Sequence, residues 1–201
     1  MYVQVPPEAL FLLSLMDRAA LRAQLAALDL SLRPEETSAR DRMCALLSEN
    51  PDCFQRTAFP AHFTGSALVV NADGSRVLLH HHRKLDRWLQ FGGHCEGDED
   101  ILRVARREAL EESGIQGLIV ASGRPFDLDI HEIPAHSGDP VHFHYDVRFM
   151  LIAPESAVPV ISQESDGLRW FTAAELTALP LDESLRRMIR KWQSIVARRA
   201  H

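Results

Sequence analysis

From Pro6 to about Pro51, apolar residues recur at mixed three- and four-residue spacings, so the chain opens on helices. The run PPEALFLLSLMDRAALRAQLAAL holds no internal glycine, SLRPEETSARD breaks it, and RDRMCALLSENPDCF reads as a second helix. That helix ends near Asn50-Pro51, because the residue before a proline is pushed out of the helical region. After His62 the period changes to two. GSALVVNADGSRVLLHHH predicts two strands around the turn Asn71-Ala72-Asp73-Gly74. GLIVASG and FDLDIHEIPA predict further strands, PVHFHYDVRFMLIA a long alternating one, and LRWF a short one. The helix TAAELTAL follows, and ESLRRMIRKWQSIVARRA closes the chain as a helix. The pattern is that of an α/β domain over 59–201 with a helical extension over 1–58. The extension carries no catalytic constellation. It reads as a cap on the main domain or as a dimerisation element that would make a homodimer.

Composition narrows the class. With 201 residues, 46% of them hydrophobic, the chain can bury a sizeable core. A formal charge of −6 gives no basic footprint for duplex nucleic acid. No apolar run is long enough to span a membrane. The first residues lack the basic start and small-residue cleavage site of a secretory signal. Cys44, Cys53 and Cys95 are odd in number and lack metal-ligand spacing, which points to a reducing cytoplasm. Cys95 is expected to be a bystander thiol.

The densest chemistry lies in GHCEGDEDILRVARREALEESGI, from Gly93 to Ile115. Glu108, Glu111 and Glu112 stand at i, i+3 and i+4 and so share one helix face. Like charges at that spacing oppose the helix, and acids in its last turns also oppose the helix dipole. A solvated acidic face tolerates this, but a hard divalent cation held by carboxylate oxygens reverses both penalties. Arg107 can orient one carboxylate, Asp98 is the expected N-cap, and Gly114 the expected stop.

Gly93, Glu99, Arg107, Glu108, Glu111, Glu112, Gly114 and Ile115 together resemble the box of the Nudix family, with Ala109 where a larger aliphatic is more usual. The seven of these with a fixed identity, all but the aliphatic Ile115, recur by chance roughly once in 10⁸ placements, so the motif is specific. The element order from about Phe63 to Leu179 is similar too. The resemblance implies a Nudix-type α/β/α sandwich with a mixed sheet. It implies a Mg²⁺- or Mn²⁺-dependent hydrolase that cleaves the pyrophosphate linkage of a nucleoside diphosphate joined to another group. It also implies a carbonyl ligand at Gly92. Glu108 and Glu112 are then the first metal ligands, Glu111 a second ligand or the base, and Glu99 a support acting through Arg107 or a water. Glu164, on a later loop, is the other candidate base. A non-catalytic regulatory or ligand-binding Nudix module is the alternative, though such modules usually lose motif carboxylates. An isomerase reading sits badly with the complete box.

Other polar residues bear on specificity. Arg83, Lys84 and Arg87 precede the motif and suit a distal phosphate, or merely a solvated surface. His142, His144 and Asp146 share one strand face, with His131 on the neighbouring strand. Three readings stay open there: a transition-metal site, a contact to substrate, or a polar cleft lining. Trp88 is expected to pack in the core, and Phe91 replaces a proline common before the double glycine. Ile130 stands where ADP-ribose hydrolases carry a proline sixteen residues after the box, and the tyrosine of dinucleoside polyphosphate hydrolases is absent there as well.

Overall fold

In the computed structural model, residues 17–30, 33–136, 138–163 and 165–199 are described. The expected helix over residues 6–16 and the candidate base Glu164 lie outside them. Helices α1 (Arg18–Ala26) and α2 (Pro34–Glu49) come first, then strands β1 (Ala61–Val70), β2 (Arg76–His82), β3 (Arg87–Leu89) and β4 (Phe91–His94). Helix α3 (Ile101–Ser113) precedes β5 (Ile119–Val120), β6 (Asp127–Ile133), β7 (His142–Ile152) and β8 (Ser165–Thr172). Helices α4 (Ala173–Ala178) and α5 (Glu183–Arg199) end the described chain.

Two boundaries differ from expectation. Helix α2 begins at Pro34, inside the segment read as a break. A proline at the first helical position loses no hydrogen bond there and has its φ already set. Strand β8 begins at Ser165, ahead of LRWF, and its polar start pairs with the last residues of β2.

The strands form one mixed sheet in the order β3-β2-β1-β7-β5, with β4 on β1, β6 on β7 and β8 on β2. The hairpin pairs are antiparallel. Strands β1 and β7 run parallel, since Phe143 N–H donates to the Pro60 carbonyl at 2.8 Å and Ala153 N–H to the Val70 carbonyl at 2.8 Å. All ten residues of β1 are buried, as expected of a strand covered on both faces.

The chain divides into two compact units. One takes the residues up to Ser66 with Gly92–Ala105 and Ser122–Phe149. Its core includes Leu21, Leu25, Met43, Phe54, Phe63 and Phe149. The Phe54 and Phe63 rings stack at 5.3 Å between centroids. Arg148 lies buried in this unit, bonded to Asp146 at 2.7 Å and to Asp127 and Asp129 at 3.1 Å each. The other unit takes Ala67–Phe91, Arg106–Ala121 and Met150–His201. Leu78, Leu79, Phe171, Met188 and Trp192 build its core. Trp192, on α5, donates its indole N–H to the Gly74 carbonyl at 2.9 Å. Sequence position alone therefore does not separate the units.

Helix α3 carries the acidic motif, and its cap is a correction. Asp100, not Asp98, accepts the Arg103 N–H at 3.0 Å and caps the helix. Asp98 sits just outside it, accepting the Asp100 N–H at 2.9 Å and holding the Arg103 guanidinium. At the other end Gly114 adopts φ +67°, as expected of a helix stop, and its N–H donates to the Leu110 carbonyl at 2.8 Å. A side chain there would also strike Val160, 2.8 Å from where its Cβ would lie.

Candidate active site

The last turns of α3 set the three glutamates in graded exposure. Glu112 is buried, Glu108 half-buried and Glu111 exposed. This follows from the fully buried Ala109 and Ser113 on the inner face of the same turns. Arg107 donates to Glu108 at 2.6 Å, the orienting contact expected of it. Glu112 lies 3.8 Å from Nδ1 of His80, a β2 residue that also bonds the Ser165 hydroxyl at 2.9 Å. Burial first, then its neighbour His82, lowers the pKa of His80 to about 4. His80 is therefore neutral at pH 7 and supplies no charge to balance Glu112.

The double glycine before α3 lies on strand β4, not in a loop, and is equally constrained. A Cβ on Gly92 would lie 2.2 Å from the Ser66 hydroxyl oxygen and 2.9 Å from the Ser66 Cα, so only glycine lets β4 approach β1 here. Glu99 has a partner that the sequence does not suggest. The Arg18 backbone N–H donates to it at 3.2 Å, and the Arg18 guanidinium lies 3.5 Å away. Gly97 N–H donates to the Phe54 carbonyl at 2.9 Å, which ties this loop to the segment after α2.

The basic residues line the β2–β3 hairpin. Arg83, Lys84 and Arg87 are all exposed, and Arg83 pairs with Asp166 at 2.7 Å. Trp88 is half-buried, edge-on to Phe171 at 4.9 Å and to His81 at 5.1 Å. Phe91 is fully buried against His80, at 5.3 Å between ring centroids.

Residues 62–192 match the family model of the NUDIX domain. The chain belongs to the Nudix family. Among solved structures, a NUDIX-family hydrolase of Clostridium perfringens is similar, with TM-score 0.54 and 22% identity over 67% of this chain and 97% of that one. A C. elegans Ap4A hydrolase gives TM-score 0.55 and 16% identity over 67% and 97%. The E. coli dihydroneopterin triphosphate pyrophosphohydrolase gives 0.51 and 24% over 64% and 92%. At these identities the likeness is one of fold. No curated protein matches the chain. The expected family and mixed-sheet fold are thereby borne out.

The Nudix domain also gathers more histidines than its sequence suggests. His142 and His144 on β7 are joined by His62 on β1 and His94 on β4. The His62 ring lies 5.1 Å from His142, 4.9 Å from His144 and 5.3 Å from His94. His131 pairs with His144 in register, at 5.4 Å between rings. Asp146 does not join this group, because Arg148, Thr64 and Ser66 all bond it. The signal that could have found His62 is HFTGS, whose alternation puts His62, Thr64 and Ser66 on one face.

Burial lowers the pKa of His62 and His94 to about 4 and of His144 to about 2, with neighbouring imidazoles and, at His62 and His94, Arg56 adding to it. The ordinary value for each is 6.5, so between pH 6.5 and 4 the unfolded chain takes up protons that the Nudix domain refuses. Stability from these histidines is present in full above pH 6.5 and falls as the solution is acidified through that window. Thermal melts are expected to show Tm dropping steeply from pH 6.5 to 4, with about three to four protons bound on unfolding at pH 5. A Tm flat across that range would show that the histidines charge freely in the fold.

Among the described residues, no helix is long and apolar enough to cross a membrane.

Proposed function

We propose that this protein is a metal-dependent hydrolase that splits the pyrophosphate linkage of a nucleoside diphosphate joined to another moiety, with 1–58 as a helical extension and 59–201 as the catalytic domain. The observation that carries this reading is the glutamate set of α3, with Glu112 buried beside a neutral His80. A donor set made of carboxylate oxygens fits Mg²⁺ or Mn²⁺ and not a softer ion. Such an ion, when bound, offsets the charge of the phosphate oxygens and acidifies a water.

The protein's own residues do the rest. Glu108 and Glu112 are the ligands, with Arg107 fixing the rotamer of Glu108. Glu111 is exposed, so it is free to act as a further ligand or to take a proton from the attacking water. The water oxygen bonds to one phosphorus, the bridging P–O bond breaks, and the bridging oxygen leaves with the other phosphate. Lys84 and Arg87, exposed on the β2–β3 hairpin, suit the distal phosphate of the substrate. Arg83 can add to them only by leaving Asp166.

A panel of nucleoside diphosphate derivatives, incubated with the full chain and Mg²⁺ or Mn²⁺, tests the reading. The expected result is metal-dependent release of two phosphate-containing products from at least one member. If no member is cleaved with either ion, the regulatory-module reading replaces it.

A further inference from the structure

We propose that His62, His142 and His144 form a second metal site, built from other residues than the α3 glutamates, that takes one divalent transition-metal ion of the zinc type. The three side chains each offer a ligand nitrogen, and these nitrogens all lie within 4.8 Å of one another. A tetrahedral zinc with Zn–N bonds of about 2.05 Å needs nitrogens about 3.3 Å apart. The rings can close that difference by turning about χ1 and χ2.

The outer hydrogen bonds are those of a ligand set. Nδ1 of His62 bonds the Ala58 carbonyl at 3.3 Å, and Nδ1 of His142 bonds the Pro140 carbonyl at 2.8 Å. A carbonyl oxygen only accepts, so each Nδ1 carries the proton. In the neutral ring that binds a metal, each Nε2 then presents a bare lone pair. This is how metal-bound histidines are oriented by their surroundings. Nε2 of His62 and Nε2 of His144 are both buried and find no hydrogen-bond partner among the described residues. Burying such an atom unpaired is costly, and coordination to an ion would relieve both nitrogens at once.

The same tautomers argue against one of the open alternatives for these histidines, a contact to a substrate phosphate. Phosphate oxygens are acceptors and so are bare imidazole nitrogens; a phosphate would find no donor at His62 or His142 Nε2. A cation finds lone pairs. Imidazole nitrogens favour zinc, iron, nickel or copper over magnesium, whereas the glutamate set has the opposite preference. Three protein ligands leave the fourth position of a tetrahedral ion open to water or to a small ligand. His94 and His131, whose rings lie 5.0 Å and 5.4 Å from His144, crowd the same face.

The test uses the full chain without an affinity tag, stripped with chelator and titrated with Zn²⁺ in excess Mg²⁺. The expected result is one Zn²⁺ retained per chain and a Tm rise of roughly 5–10 °C at a hundredfold excess over Kd. His62→Gln and His144→Gln are each expected to weaken zinc binding at least about tenfold, whereas Glu112→Gln keeps it. Absorption spectroscopy at the zinc edge of the wild-type complex is expected to count three imidazoles, a readout that needs no variant to fold. Failure to retain zinc in excess Mg²⁺, zinc held by both histidine variants, loss of zinc in Glu112→Gln, or fewer than three imidazoles would each overturn the proposal. None of these readouts depends on turnover, so a failure of the hydrolase reading remains distinguishable.

Discussion

Glu112→Gln is expected to lower Mg²⁺-supported turnover by on the order of 10²–10³-fold, with no loss of fold. Glutamine has the shape of glutamate and keeps one carbonyl oxygen, so the packing of this buried position persists. What it removes is the negative charge that a hard cation needs at its ligand. Stability is expected to hold, because the exchange keeps the side chain's shape and the nearby neutral His80 loses no counter-charge by it. It also relieves like-charge repulsion with Glu108 at i−4. Initial rates across a Mg²⁺ titration, paired with thermal melts, separate these effects. Unchanged kcat at saturating Mg²⁺ would remove Glu112 from the ligand set and with it the central assignment of the proposed mechanism.

Arg148→Met is expected to cost about 3–5 kcal/mol of folding stability. Arg148 is a single guanidinium set among Asp127, Asp129 and Asp146, all of them buried. Burial works against its charge, yet the attraction of Asp146, Asp129 and Asp127 outweighs that and raises its pKa above the ordinary guanidinium value. Methionine fills much of the volume but leaves the carboxylates facing one another without a cation. The Thr64 and Ser66 hydroxyls, at 3.1 Å and 2.7 Å from Asp146, and His131 Nδ1, at 3.0 Å from Asp129, offset part of the lost attraction but bring no full counter-charge to the cluster at neutral pH. Adding Asp127→Asn to the variant is expected to restore part of the loss, since it removes one unbalanced charge. Urea unfolding of both variants measures this, and a cost under about 1 kcal/mol for Arg148→Met would mean that water or neighbouring residues already neutralise the cluster.

How much of the molecule is legible in its sequence depends on separation along the chain. The glutamate set, Arg107 and the Gly114 stop fall within one helix, and helical geometry alone brings them together. The long strands β1, β2 and β7 are legible because burial imposes a recognisable pattern on them. Pro34 misleads because proline breaks a helix interior but suits its first turn. Asp98 and Asp100 mislead for a similar reason: both are capping residues, and only the backbone decides which one accepts the Arg103 N–H. The histidines are not legible as a group at all. His62 and His142 are neighbours only because β1 and β7 lie side by side in parallel, a pairing that no local pattern encodes. The same holds for Arg148 and Asp127, and for Arg18 and Glu99.

That last pair bears on how the chain can be divided. The Arg18 guanidinium also donates to the Leu47 carbonyl at 3.0 Å, the Asn50 carbonyl at 2.9 Å and the Pro51 carbonyl, and it lies over the Phe54 ring. One residue thus closes the end of α2 with its side chain and holds a motif glutamate with its backbone N–H. A chain shortened to begin at Ala61 would not be a leaner version of this enzyme. It would lose the Phe54 carbonyl that fixes Gly97 and the cation that stands beside Glu99. For anyone trimming or fusing this protein, helices α1 and α2 belong to the motif loop as a keystone belongs to its arch.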